Sequence, residues 1–263
     1  KIMKICFVGV GNIAQAIIDG LLKSGVSAQN ITCIERNPDK AELLGKKNLK
    51  IIAFEDLANK DFDLIVLAVK PKDALDAEAK ILKLCPKAEI LSVVAGITLD
   101  RYSNPNAVIR SMPNTASSFG KGLTALYALN QESNAFEAAQ NLFSKVGHVL
   151  IMANEDEMHR FTSIIGSGQA FLFQVLNIYL KEFEKISTAN PVSPKEAFKD
   201  FVSSLGDLFT QDSDFESLIN KIKSPGGTTQ AGLESLEKND LDEIFKDAFN
   251  AATNRSKEIS KEQ

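Results

Sequence analysis

Histidine is nearly missing from this chain: His148 and His159 are the only two in 263 residues. That leaves little for chemistry that needs an imidazole base or a nitrogen-rich metal site. No Ser/His/Asp or Cys/His arrangement stands out, and no His, Cys and Asp cluster has metal-ligand spacing, so no metal is expected. Cysteine is equally sparse. Cys6, Cys33 and Cys85 lie in or beside apolar segments without CxxC pairing, which predicts buried thiols in a reducing compartment. No apolar run reaches the roughly 18 residues of a membrane span. The chain opens on a strand rather than a signal peptide, so a cytoplasmic location is expected. With a net charge of −4, no basic field invites nucleic acid or an acidic membrane. Of the two histidines, His148 is expected to begin a strand. His159, beside Glu155, Asp156 and Glu157, reads as a surface or capping residue.

What is present is a soluble composition, 44% hydrophobic and 24% charged, on a chain long enough for two domains. Short apolar runs at 4–10, 31–34, 50–52, 64–69, 89–94, 108–112, 123–128 and 149–152 read as strands. Helical spacing occupies 12–24, 38–44 and 72–84 between the early ones. Such alternation predicts a doubly wound, mainly parallel sheet, and runs like Leu64-Ile65-Val66-Leu67 suit strands covered on both faces. Beyond about residue 157 strand-like segments vanish. Helical periodicity fills 159–185, 193–210, 215–221 and 228 to the end, with the clearest break at 187–194. The fold class is therefore an α/β Rossmann-type sheet followed by an all-α C-terminal domain. Apolar faces such as Phe171, Phe173, Val175 and Ile178 on so small a helical unit predict a partner chain.

Two glycine turns carry the chemistry. Val8-Gly9-Val10-Gly11-Asn12-Ile13-Ala14 joins a buried strand to a helix. Gly9 makes the tight turn, Gly11 lets a pyrophosphate approach the backbone, and Ala14 allows close helix–strand packing. Far along the chain, Ser224-Pro225-Gly226-Gly227-Thr228-Thr229 opens a helical segment, 228–238. Its glycines let a ligand come close, and its helix N-terminus offers unpaired amides to an anion, so the turn suits a carboxylate. Glu35, about 20 residues past the first turn, could accept from a ribose 2′-OH and suggests NAD. Arg36 and Asn37 follow, and an arginine there can meet the 2′-phosphate of NADP. Lys70 and Pro71 end a strand where open sheets line the ligand crevice, so Lys70 either touches the cofactor or solvates a strand end. Arg110-Ser111-Met112-Pro113-Asn114-Thr115 presents asparagine and threonine amides on a prolyl turn that suits a nicotinamide or a small substrate. Hydride transfer fits the thin set of acids and bases, because alignment matters more there and the cofactor carries the reaction.

These motifs, with Thr162 and Gly166-Ser167-Gly168, occur in the order seen in pyrroline-5-carboxylate reductases, and the resemblance runs from about residue 4 to 257. It implies the last step of proline biosynthesis: NAD(P)H, NADPH rather than NADH by Arg36 and Asn37, reduces the C=N bond of 1-pyrroline-5-carboxylate to L-proline. It implies a dinucleotide-binding domain over residues 1–157 and a helical domain over 158–263 for dimerisation and substrate. The homodimer of such enzymes is sometimes built into a decamer. Carried onto this chain, Gly9, Gly11, Asn12, Ile13, Ala14, Arg36, Asn37, Lys70, Pro71 and Asn114 would bind the cofactor. Ser224, Gly226, Gly227 and Thr228 would hold the substrate carboxylate, and Thr229 would act near the ring nitrogen. The chain departs from the family pattern at Ile165, Gln169, Ala170 and Phe171, at Ala116-Ser117, and at Glu35. Two other readings stand beside this one. A β-hydroxyacid dehydrogenase would need a catalytic lysine after the glycines of Gly166-Ser167-Gly168, where none occurs before Lys181. A non-catalytic NAD(P)-sensing protein would not need the 224–229 turn.

Overall fold

The computed structural model describes residues 3–189, 192–212 and 214–262; Asn190 and Pro191, within the break expected at 187–194, lie outside them. The chain forms two compact units, one of residues 1–166 with 252–263 and one of residues 167–251.

In the first unit eight strands make one sheet: β1 Ile5–Val8, β2 Ile31–Ile34, β3 Lys50–Ile51, β4 Leu64–Leu67, β5 Ile90–Ser92, β6 Val108–Met112, β7 Gly122–Tyr127 and β8 Gly147–Ile151. Their order is β3-β2-β1-β4-β5-β6-β7-β8. Every pairing is parallel except β6 with β7. Helices α1 Asn12–Lys23, α2 Pro38–Lys46, α3 Pro71–Leu84 and α4 Asn134–Ser144 cover the sheet. The strands are apolar throughout because both faces are buried. Ile5, Phe7, Leu64 and Val66 point into a core shared with Ile17 and Leu21 of α1 and Phe136 and Phe143 of α4. Cys6, Val8, Ile65 and Leu67 point the other way, to Ala74 and Ile81 of α3. Period-two alternation thus builds two hydrophobic layers from one run of residues.

All eight expected strands are present, each end within two residues of the expected one. The helix at 134–144 was not anticipated. His148 lies within β8 as expected. Sheet order reverses between β1 and β4, so the crevice of this fold opens beyond the C-terminal ends of those two strands.

After β8 the chain is helical: α5 Glu157–Phe161, a π-helical turn Thr162–Ser167, α6 Gly168–Phe183, α7 Pro194–Gln211, α8 Phe215–Ile222, α9 Thr228–Lys238 and α10 Leu241–Glu262. The helical segment expected at 228–238 coincides with α9, and the helical periodicity expected from 228 to the end is divided there: Asn239 terminates α9, and Asp240 takes a left-handed backbone, φ 53°. Apart from Gly168, no described residue of α6 to α10 is buried, while Leu172, Phe173, Ile178 and Tyr179 are exposed. Rings pair locally, as in the Phe209–Phe215 stack at 4.3 Å. By length and composition the helical stretch Glu157–Phe183 meets the minimum for a membrane span, with a mean hydropathy of 1.2. Exposed apolar faces of this kind also serve subunit contact.

Candidate active site

The nucleotide turn sits at the sheet's switch point. Gly9 adopts φ +82°, and a Cβ there would press on the Ala68 carbonyl oxygen at 3.0 Å, just past β4. Its amide donates to the Ile34 carbonyl at 2.9 Å, tying β1 to β2. Gly11 is the N-cap of α1 and has no side-chain cap, and a Cβ built there would meet nothing within 4 Å. The first amides of α1, from Asn12 to Ala14, have no partner within the helix. Open space above unpaired amides at a helix start fits a pyrophosphate. Ala14 packs into the core at 1% exposure, which keeps α1 close to the sheet.

Around this turn the second strand contributes an unexpected brace. The Glu35 carboxylate accepts from Val10 N at 3.1 Å with one oxygen and from Asn37 N at 2.9 Å with the other. Asn37 is in turn the N-cap of α2, its Oδ1 accepting from the amides of Asp39 and Lys40. Between these two engaged side chains Arg36 stands exposed.

The second turn lies wholly in the helical unit. Ser224 to Gly227 form a four-residue turn closed by Gly227 N donating to the Ser224 carbonyl at 3.0 Å. Pro225 and Gly226 occupy its centre, Gly226 at φ +69°. Proline followed by a left-handed glycine is the pattern of a type II turn. Gly227 is the N-cap of α9 and carries no side-chain cap. Gly226 N is not free, for it donates to Gln230 Oε1 at 2.9 Å. The donors left over are the first amides of α9, on Thr228, Thr229 and Gln230, with the two threonine hydroxyls beside them. Ser224, Gly226 and Thr228 are exposed, and Gly227, Thr229 and Gln230 are half-buried.

Residues 155–259 match the family model for pyrroline-5-carboxylate reductase dimerisation, and residues 4–96 match that for NADP oxidoreductase, coenzyme F420-dependent. The chain is 33% identical to the pyrroline-5-carboxylate reductase of Staphylococcus aureus, over 98% of each chain. Among solved structures it resembles a pyrroline-5-carboxylate reductase from Coxiella burnetii, with TM-score 0.87, 26% identity and 99% of both chains covered. It also resembles the Plasmodium falciparum pyrroline carboxylate reductase with NADP bound, with TM-score 0.81, 25% identity and 98% of both chains covered. The chain belongs to the pyrroline-5-carboxylate reductase family.

Against that family's motifs, the remaining residues singled out from the sequence have clear places. Lys70 is exposed at the N-cap of α3, with Pro71 as the first helical residue. Asn114 is nearly buried, and its Oδ1 accepts from Leu123 N at 3.1 Å, so the carboxamide braces its own loop against β7. Arg110 lies in β6 rather than in the polar loop, ion-paired to Glu155 at 2.6 Å with only 7% of its side chain exposed. Glu155 also accepts from Leu99 N at 2.7 Å.

His159 corrects the surface reading given above: it is 5% exposed. Its Nδ1 is 2.9 Å from Ser256 Oγ on α10. Burial, and secondarily the nearby Arg110 guanidinium, push its pKa below the usual histidine value. The thiols of Cys6 and Cys33 are buried as expected; burial raises both, Cys33 to about 12, so neither is a nucleophile at neutral pH. Neither the Glu35 brace nor Gln230 was anticipated. A glutamine three residues past an N-cap was the one signal available for the latter.

Proposed function

We propose that this protein is an NADPH-dependent reductase of the C=N bond of 1-pyrroline-5-carboxylate, giving L-proline, with NADH as a second cofactor. The observation that carries this reading is the pair of glycine turns, each opening a helix on unpaired amides, in a chain of this family. Gly9, Gly11, Asn12, Ile13 and Ala14 would hold the dinucleotide, with Lys70, Pro71 and Asn114 beside it. Arg36 is the group free to meet a 2′-phosphate. NADPH supplies a hydride when bound.

The chain's own residues do the rest. The amides of Thr228 and Thr229 at the start of α9 would receive the substrate carboxylate, with Ser224, Gly226 and Gly227 shaping the turn that presents them. An imine accepts hydride poorly until its nitrogen is protonated. The Thr229 hydroxyl would stand near that nitrogen and relay the proton through water, or the substrate arrives already as iminium. No strong base is required. Holding the ring in one orientation can contribute on the order of 7–11 kcal/mol in favourable cases.

We further propose a homodimer through the helical unit, supported by the match of residues 155–259 to a dimerisation model and by the exposed Leu172, Phe173, Ile178 and Tyr179. A decamer of such dimers, a cytoplasmic location, and the absence of a membrane or nucleic-acid partner belong to the same reading. So does a division of labour at residue 157, cofactor before and substrate after. The test is direct. Purified protein mixed with NADPH and 1-pyrroline-5-carboxylate should consume the reduced nicotinamide, followed by its absorbance. Failure with both NADPH and NADH would favour a nucleotide-sensing protein. Thr229→Val should lower kcat while leaving NADPH affinity within about twofold, since the hydroxyl lost is a proton relay rather than a cofactor contact.

A further inference from the structure

The proline–glycine turn and the helix that follows are tied together by two side chains that the reductase reading leaves without a role. Gly227 sits where an N-cap serine or threonine would lock the first turn of α9, and it has no side chain to do so. Gln230 lies three residues further on, where a capping-box side chain reaches back to the cap. Here it reaches one residue beyond, its Oε1 accepting from Gly226 N at 2.9 Å. Its Nε2 donates to Glu234 Oε1 at 2.7 Å, one helical turn away. A carboxylate only accepts and a backbone amide only donates. The carboxamide therefore has a single acceptable orientation, because flipping it would set oxygen against oxygen and N–H against N–H.

We propose that Gln230 is the positioning residue of the carboxylate-binding turn, with Glu234 fixing the orientation of its carboxamide. The assignment rests on the reductase reading above. The brace holds Gly226 in its left-handed conformation and removes its amide from the set open to a ligand. An incoming carboxylate then meets the amides of Thr228, Thr229 and Gln230 in one arrangement. Without the brace the 224–227 turn can hinge on two glycines, and the anion loses a fixed seat. Positioning of this sort affects the substrate and leaves the cofactor alone.

The experiment is steady-state kinetics on the full chain. Gln230→Ala should raise KM for 1-pyrroline-5-carboxylate about tenfold, the range of a lost cap, with KM for NADPH within about twofold. The double substitution Gln230→Glu with Glu234→Gln rebuilds both bonds and should recover most of that loss. Selective labelling of glycine should show the Gly226 amide exchanging faster in Gln230→Ala, a readout that survives weak activity. An unchanged KM for the imine, an equal rise in KM for NADPH, or a double variant as poor as Gln230→Ala would each overturn the assignment. If the unaltered protein neither reduces the imine with either cofactor nor binds L-proline, the reductase reading falls and this assignment with it. Active unaltered protein with an indifferent Gln230→Ala removes the assignment alone.

Discussion

Replacing Glu35 by alanine separates two roles that the same carboxylate could play. At the end of β2 an acid commonly accepts from a ribose 2′-OH, yet here both carboxylate oxygens already receive backbone amides, Val10 at 3.1 Å and Asn37 at 2.9 Å. Hydrogen bonds to a charged acceptor contribute about 1.5–3 kcal/mol each when buried. Glu35 is half-buried, and water can take over part of what its loss leaves, so the pair together is worth about 1–3 kcal/mol. At about 2–4 °C per kcal/mol for a chain of this size, Glu35→Ala should lower the unfolding midpoint measurably. The Val10 amide sits between the two glycines of the nucleotide turn. Loosening it should therefore weaken NADPH and NADH by the same factor, about 3- to 10-fold, because the turn must then be ordered on binding. The assay pairs thermal unfolding with titration of each reduced cofactor. A loss confined to NADH, with the midpoint unmoved, would make Glu35 a ribose ligand and refute the brace.

Three other perturbations test separate parts of the structure. Arg36→Ala removes the exposed cation beside the brace and should weaken NADPH by about tenfold while changing NADH less than twofold; an unchanged ratio of dissociation constants removes Arg36 from the phosphate site. Gly20→Ala would drive a Cβ into the Ser117 carbonyl oxygen across the packed face of α1, a backbone clash that should cost about 1–3 kcal/mol of stability. A midpoint lowered by less than about one degree would contradict that packing. For His159, the folded pKa is depressed by burial, so the unfolded chain binds its proton first. The stability this residue contributes is held above the ordinary value of 6.5 and lost as pH falls through the folded value. His159→Gln should flatten the decline in unfolding midpoint below neutrality, and an unaltered slope would place the titrating group elsewhere.

Much of the fold is legible in the sequence because strands buried on both faces must be apolar along their whole length. Leu64 to Leu67 could not be mistaken for an amphipathic element, and the helical half shows itself by losing such runs. Two features stayed hidden for local reasons. The apolar face of α4, Ala135, Phe136, Ala139, Leu142 and Phe143, leans on two alanines and is interrupted by polar residues, which weakens its period. The end of α9 at 238 was legible, but the separate start of α10 at Leu241 follows Asp240 in a left-handed conformation; a glycine there would have announced it, and an aspartate does not. His159 is buried, and its hydrogen-bond partner Ser256 lies nearly a hundred residues away, which no local pattern can reveal.

For the candidate site, the sequence locates the turns but cannot say which of their donors are available. The 224–229 motif, with the family resemblance, suggests a carboxylate cradle of Ser224, Gly226, Gly227 and Thr228, with Thr229 near the ring nitrogen. The turn closes on itself through Gly227 N, and Gln230 takes Gly226 N, so the open donors move into the first turn of α9. The same displacement occurs at the other end of the chain, where Glu35 and Asn37 look like ligand contacts and are engaged with backbone amides. In both places a polar side chain near a glycine turn has gone to the backbone, because a turn flexible enough to approach a ligand is also too flexible to hold its shape alone. On the function proposed above, the residues left without such a structural duty, Arg36 at the first turn and Thr228 and Thr229 at the second, would be the ones that recognise the ligand. Recognition and rigidity would then be divided between neighbouring side chains, a division that hydrogen-bond geometry suggests and residue type alone does not.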